Sequence, residues 1–259
     1  MGKRTALNSK SAIRERRAAG LLAWFGPAMM LFARSAFAVT AQGLVAAIYM
    51  AKGSLTPWRD AGSWLPVYGT LIDAGCIGLL CWLTRREHIT PLDLTGFDGK
   101  RLGRDVLIGL ALIPPSLLFI LGGNSAAGLL VYGDMSAPQI FAPLPLWPAL
   151  YAVLIFPLVW GVTEQMTYNG YVLPRLQAQS GNTAFAIAVV ALFWSAQHAF
   201  MPLTFDPDFM LYRLLSPIPH SLFVTLVYLR IRRIAPLATA HWLMDGGAAF
   251  AATLWPLMQ

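Results

Sequence analysis

The sequence predicts an all-α, polytopic membrane protein, a bundle of about seven transmembrane helices around an intramembrane polar cavity. Hydrophobic residues make up 57% of the 259, charged residues only 12%, and the mean hydropathy is +0.58; an ordinary soluble domain has about 25% charged residues. The long apolar runs lack two-residue alternation, so helices are the expected way to satisfy the backbone inside hydrocarbon. Within those runs sit acids and imidazoles, which in a bilayer turn toward a bundle interior.

Residues 1–19 read as a basic cytoplasmic tail, 20–145 as N-terminal transmembrane helices with their connectors, and 146–256 as the helices that carry the chemistry, all within a single membrane domain. Seven spans are predicted, at 20–50, 66–84, 105–122, 146–173, 184–200, 214–229 and 235–256. The first opens like a secretion signal, with a basic stretch, an apolar run from Leu21 and "SAFA" at 35–38. Arg34 interrupts the run, so a retained anchor is expected. The myristoylation pattern fails because residue 6 is Ala. Cys76 and Cys81 fall on different faces of the second span and read as small packing residues. The connector "REHITPLDLTGFDGKRLGRD", 86–105, is broken by Pro and Gly and is expected to lie along the membrane surface.

Lys and Arg collect on the cytoplasmic side of membrane proteins. With the N-terminus inside, the inner segments carry fifteen, and the outer ones hold Lys52, Arg59 and Arg213. This predicts a multi-pass protein of the bacterial inner (plasma) membrane with a cytoplasmic N-terminus. The net charge of +7 is then an orientation signal and a contact with anionic head groups, not a nucleic-acid interface, because the basic residues are scattered over membrane loops. The lipid bilayer is an expected partner and nucleic acid is not.

Of the ionisable residues within spans, five stand out as candidates to weigh: Asp73, Glu164, His198, His241 and Asp245. In "ALFWSAQHAF", Trp194 and His198 are four apart, as are His241 and Asp245 in "ATAHWLMDGG". Each pair therefore shares a helix face. Glu164 and Tyr168 share another face, and Gln165 and Asn169 a third. A lone intramembrane His more often bonds a neighbouring helix than catalyses, and Trp194 reads as packing by itself. That blander reading weakens when all these groups must gather by accident. Asp73 has no assigned role.

Three motifs in order, "EQMTYN" (164–169), "WSAQH" (194–198) and "HWLMD" (241–245), resemble the CAAX protease and bacteriocin-processing family, also called CPBP or Abi, of glutamic-type intramembrane proteases. The family's patterns are Glu-Glu-x-x-x-Arg, Phe-x-x-x-His and His-x-x-x-Asn or Asp, and the likeness covers roughly 146–256. The resemblance implies a helical membrane bundle with a polar cavity and peptide-bond hydrolysis without an acyl-enzyme. It places Glu164 at the catalytic glutamate, His198 at its partner in activating water, and His241 with Asp245 at the oxyanion. The first motif diverges. Gln165 stands for the second Glu and Asn169 for Arg, a change expected to exchange an ion pair for a hydrogen-bonded amide pair. Trp194 stands for Phe.

The residues read directly give compatible chemistry. A Glu in apolar surroundings can take a proton from water and return it to a leaving amine. The expected setting is a pocket open toward the cytoplasmic half of the bilayer. No Ser or Cys pairs convincingly with a base, and no His-Glu-x-x-His motif occurs. Two imidazoles and two carboxylates can ligate a metal, but no cofactor is expected. At about 1.5 Å per residue, His241 lies about 9 Å and His198 about 21 Å from the cytoplasmic ends of their spans, which leaves the depth of the site open. The expected partner is a membrane-associated protein or peptide substrate. The rival readings are an inactive scaffold or immunity protein of the same fold and, with less support, a proton-coupled transporter.

Overall fold

The computed structural model describes residues 7–136 and 138–259, so Lys3 and Arg4 of the basic tail, and Gly2 and Ala6 of the failed myristoylation pattern, lie outside the described residues. A surface helix α1 (Lys10–Ala18), capped by Ser9, precedes α2 (Phe25–Ala51), which runs unbroken through Arg34 and the "SAFA" string. The short α3 (Pro57–Gly62) turns the chain into α4 (Leu65–Arg86). Two 3-10 turns, Pro91–Leu94 and Gly99–Arg101, make up the surface connector and lead into α5 (Leu102–Tyr132), which ends at Gly133 in the left-handed conformation.

The motif-bearing half begins with α6 (Leu146–Leu154) and α7 (Phe156–Gln165). A π-helical stretch, Met166–Val172, joins α7 to α8 (Leu173–Ser180). Next come α9 (Thr183–Ala196) with a 3-10 turn, Gln197–Phe200, then α10 (Pro207–Leu215) and α11 (Ile218–Ile231). The last, α12 (Ala235–Ala249), continues through a π-helical stretch to Leu254 and a 3-10 turn to Leu257. Among the described residues there is no strand.

Six helical segments are long and apolar enough to cross a membrane: 25–51, 65–86, 91–132, 146–180, 183–200 and 207–231. The seventh expected span is helical but falls outside that set, because His241 and Asp245 dilute its hydropathy. The expected span 214–229 is two helices, α10 and α11, meeting at Ser216–Pro217. The expected 146–173 runs on to Ser180 and bends at Ile155.

Antiparallel packing gives the bundle two rims. At one, Gly26 abuts Leu83 and Tyr171, the Ile234 amide bonds the Thr95 carbonyl at 2.9 Å, and Arg233 pairs with Asp105 at 2.7 Å. Glu87 takes a two-pronged bond from Arg175, both contacts 2.6 Å, and a 3.3 Å contact from Arg16, which fastens α1 beneath α4 and α8. All the described Lys and Arg lie at this rim except Arg34, Lys52, Arg59 and Arg213. At the opposite rim the Gln42 side chain holds the Leu203 backbone on both its amide and its carbonyl. The buried core runs between the rims through α2, α4, the 156–176 segment and α9.

Candidate active site

Glu164 is the last residue but one of α7 and is buried, with 1% of its surface exposed. The widened turn that follows, 166–172, is buried throughout. Such π-helical insertions shift the register of side chains and recur at functional sites. Around the carboxylate three other elements converge. Gln197, in the turn ending α9, donates a short hydrogen bond from Nε2 to Glu164 Oε1. His241 of α12 sets Nε2 3.5 Å from Glu164 Oε2 and 3.0 Å from Asp245 Oδ2. Arg34 of α2 has its Nε 3.8 Å from Glu164 Oε1.

The network around Gln197 fixes the direction of that amide. Its Oε1 accepts from Arg34 Nε at 2.8 Å and faces the Tyr168 hydroxyl at 3.3 Å. A guanidinium has only donors, so the carbonyl of the amide must face Arg34 and the NH2 must face Glu164. Arg34 in turn donates from Nη1 to Asp73 Oδ1 at 2.9 Å and lies 4.1 Å over the Trp160 ring. Asp73, unassigned in the sequence, is the counter-ion of a fully buried cation. Losing one member of such a pair strands a charge, at a cost of about 3–5 kcal/mol.

His198 lines the same cavity as Glu164. Its Nδ1 is 2.9 Å from the Trp194 carbonyl, which can only accept, so in the neutral ring Nδ1 carries the proton and Nε2 keeps its lone pair. Trp194 stacks on Tyr168 with centroids 5.5 Å apart and ring planes 9° from parallel, which holds the start of the turn bearing Gln197 and His198 against the segment after Glu164. Gln165 and Asn169 point to another face: Asn169 Nδ2 donates to Gln165 Oε1 at 2.8 Å, the amide pair the sequence anticipates.

His241 reaches Glu164 because α7 carries a glycine one turn earlier. A methyl at Gly161 would stand 3.2 Å from His241 Cβ and 3.3 Å from its Cγ, tighter than ordinary contact, so a side chain there would press His241 back by a few tenths of an ångström.

The cavity, about 270 Å³, is walled by Leu65, Ile120, Phe141, Phe156, Met201 and Met244 beside the polar groups. Its lining comes from the start of α4, the second half of α5, the 140–141 loop, α7, the end of α9 with the turn after it, the α10–α11 junction and the second half of α12. It therefore lies toward the rim opposite the basic one, whereas the sequence reading places the opening on the basic side. The depth mismatch between the two imidazoles also resolves: α9 brings His198 in near its far end while His241 sits nearer the middle of the bundle, and both border one hollow.

Sequence reading missed Arg34 as a site residue, together with Gln197, Arg213 and His220. An Arg in mid-span was itself the available signal for the first, since such a charge requires a partner. Gln197, adjacent to His198 in the motif, had none. Among the described residues no group of three or more His, Cys, Asp or Glu has the arrangement of a metal site.

Residues 145–247 match the family model described as Rce1-like, type II CAAX prenyl endopeptidase Rce1-like. The match spans Glu164, His198, His241 and Asp245 and bears out the resemblance read from the three motifs. No curated protein matches the chain, and no solved structure does. The protein is a multi-pass integral membrane protein whose C-terminal helices, residues 145–247, are similar to the Rce1-like family of type II CAAX prenyl endopeptidases.

Proposed function

We propose that the protein is an intramembrane endopeptidase that hydrolyses a peptide bond of a membrane-associated substrate with water activated by Glu164 and His198. The observation that supports it best is the placing of Glu164: one carboxylate oxygen is held by Gln197, and the other faces the His241 imidazole at the wall of a hollow that His198 also lines. A water in that hollow would give a proton to Glu164 while the free Nε2 of His198 accepts its second hydrogen bond. Attack on the peptide carbonyl then builds negative charge on oxygen. The Nε2–H of His241, held between Asp245 and Glu164, would turn to that oxyanion, a contribution of about 3–4 kcal/mol in comparable hydrolases. Glu164 finally returns its proton to the leaving amine, so both halves of the cleaved bond leave balanced and no covalent intermediate forms.

The amide pair Gln165–Asn169 keeps a hydrogen bond where the family has an ion pair, supporting the shape of the helix after Glu164. In this reading the chemistry needs no cofactor. The N-terminus is cytoplasmic, with the basic rim at the inner surface of the bacterial plasma membrane. The deciding experiment is quantitative proteomics of membrane peptides from cells carrying the wild type or Glu164→Ala. One uncut precursor accumulating in the variant is the expected result; identical profiles would favour a scaffold of the same fold.

A further inference from the structure

Arg213 differs from the other buried arginines of the bundle. Arg34, Arg175 and Arg233 each pair with a carboxylate, whereas no carboxylate among the described residues lies within salt-bridge reach of Arg213. Its side chain is nine-tenths buried, at 9% exposure, and lines the cavity beside Glu164 and His198. Nη2 donates to the Met201 carbonyl at 2.9 Å, and Nε is buried with no hydrogen-bond partner among protein atoms. A guanidinium carries five N–H donors in a fork that matches a carboxylate. One neighbouring carbonyl leaves most of that capacity unused, and the charge has no direct counter-ion, since Asp245 and Glu164 act on it only from beyond salt-bridge reach. From the next helix, the Nε2 of His220 is likewise buried without a partner and borders the same hollow.

The cavity's own acids do not fill this role. Glu164 is engaged by Gln197 and His241, and Asp245 by His241. Both would repel an incoming anion everywhere except beside Arg213, and the remaining wall is largely apolar. The matching ligand is an apolar peptide bearing one carboxylate.

We propose that Arg213 anchors a substrate carboxylate inside the cavity, fixing the register in which the peptide lies across Glu164. This deepens the peptidase reading and rests on it for the identity of the ligand. The carboxylate is either the free C-terminus of the peptide or an Asp or Glu side chain near the cut.

The test is fluorescence anisotropy with full-length Glu164→Gln protein in detergent, which binds without turnover. The probes are a short dye-labelled Ala-Leu peptide as the free acid, its C-terminal amide, and an amide carrying Asp at its last position. The free acid should bind about tenfold or more tightly than the plain amide, as expected of a charge-assisted pair. Recovery of affinity by the Asp-bearing amide assigns a side-chain carboxylate, and no recovery assigns the chain terminus. Adding Arg213→Gln should bring acid and amide to within about twofold of each other. Where that variant fails to run as a single species on size exclusion, Arg213→Lys is read instead, and an undiminished acid preference there counts against the fork. Equal binding of acid and amide, retention of the preference in Arg213→Gln, or binding of no peptide overturns the proposal. Cleavage of the same probes by wild type is followed in parallel. Acid preference without cleavage retires the peptidase reading and leaves the carboxylate site; cleavage without acid preference does the reverse.

Discussion

At the level of single residues the centre is a chain of polar contacts, Asp73–Arg34–Gln197–Glu164–His241–Asp245, built from α2, α4, α7, the turn after α9 and α12. Three of its members were visible in the motifs and three were not. Glu164, His241 and Asp245 announce themselves through helical spacing and the expense of an ionisable group in lipid. Arg34, Asp73 and Gln197 act through tertiary pairing between distant spans, which no local period encodes. Two predictions belong here. Glu164→Gln keeps the side chain's size and the acceptor facing Gln197 but removes the proposed base, and cleavage should fall by about 10²–10⁴-fold while the protein still runs as a single folded species on size exclusion. Arg34→Met strands Asp73 and should lower stability by about 3–5 kcal/mol, read by thermal denaturation in detergent; Arg34→Met with Asp73→Leu should recover much of that loss.

At the level of elements, the site depends on how closely helices approach and on where their ends fall. Gly161 lets α12 bring His241 to Glu164. Gly161→Ala should therefore push the imidazole off the carboxylate and reduce cleavage by at least about tenfold, because a small misplacement in an oriented site is costly; equal rates for Ala and Gly would place the His241–Glu164 approach elsewhere. The helical spans themselves were largely legible, since apolar runs of spanning length leave few alternatives. Their ends and breaks were not. The bend at Ile155, the widened turn at 166–172 and the division of 207–231 at Ser216–Pro217 arise where Pro residues and neighbouring helices override a continuous apolar pattern. Hydropathy also underweights α12, whose apolar signal is cut by the very residues that give it a role.

For the whole molecule, the charge distribution and the cavity face opposite rims. Asymmetry of Lys and Arg orients membrane proteins with the basic end in the cytoplasm, so the hollow bordered by Phe141, Arg213 and Asp245 should open in the outer half of the bilayer. In a Cys76→Ala, Cys81→Ala background, a Phe141→Cys protein should react with an impermeant maleimide added to intact cells. A Lys100→Cys protein should react only after permeabilisation. The reverse pattern would invert the bundle.

The most direct measurement is peptide release from a membrane substrate by purified protein in proteoliposomes, in water enriched in oxygen-18, for wild type and Glu164→Gln. The substrate is the precursor that accumulates in cells carrying Glu164→Ala. A Glu164 base predicts one solvent oxygen in the new carboxyl terminus with wild type and release reduced by at least about 10²-fold in the variant. Equal release from both proteins would contradict it.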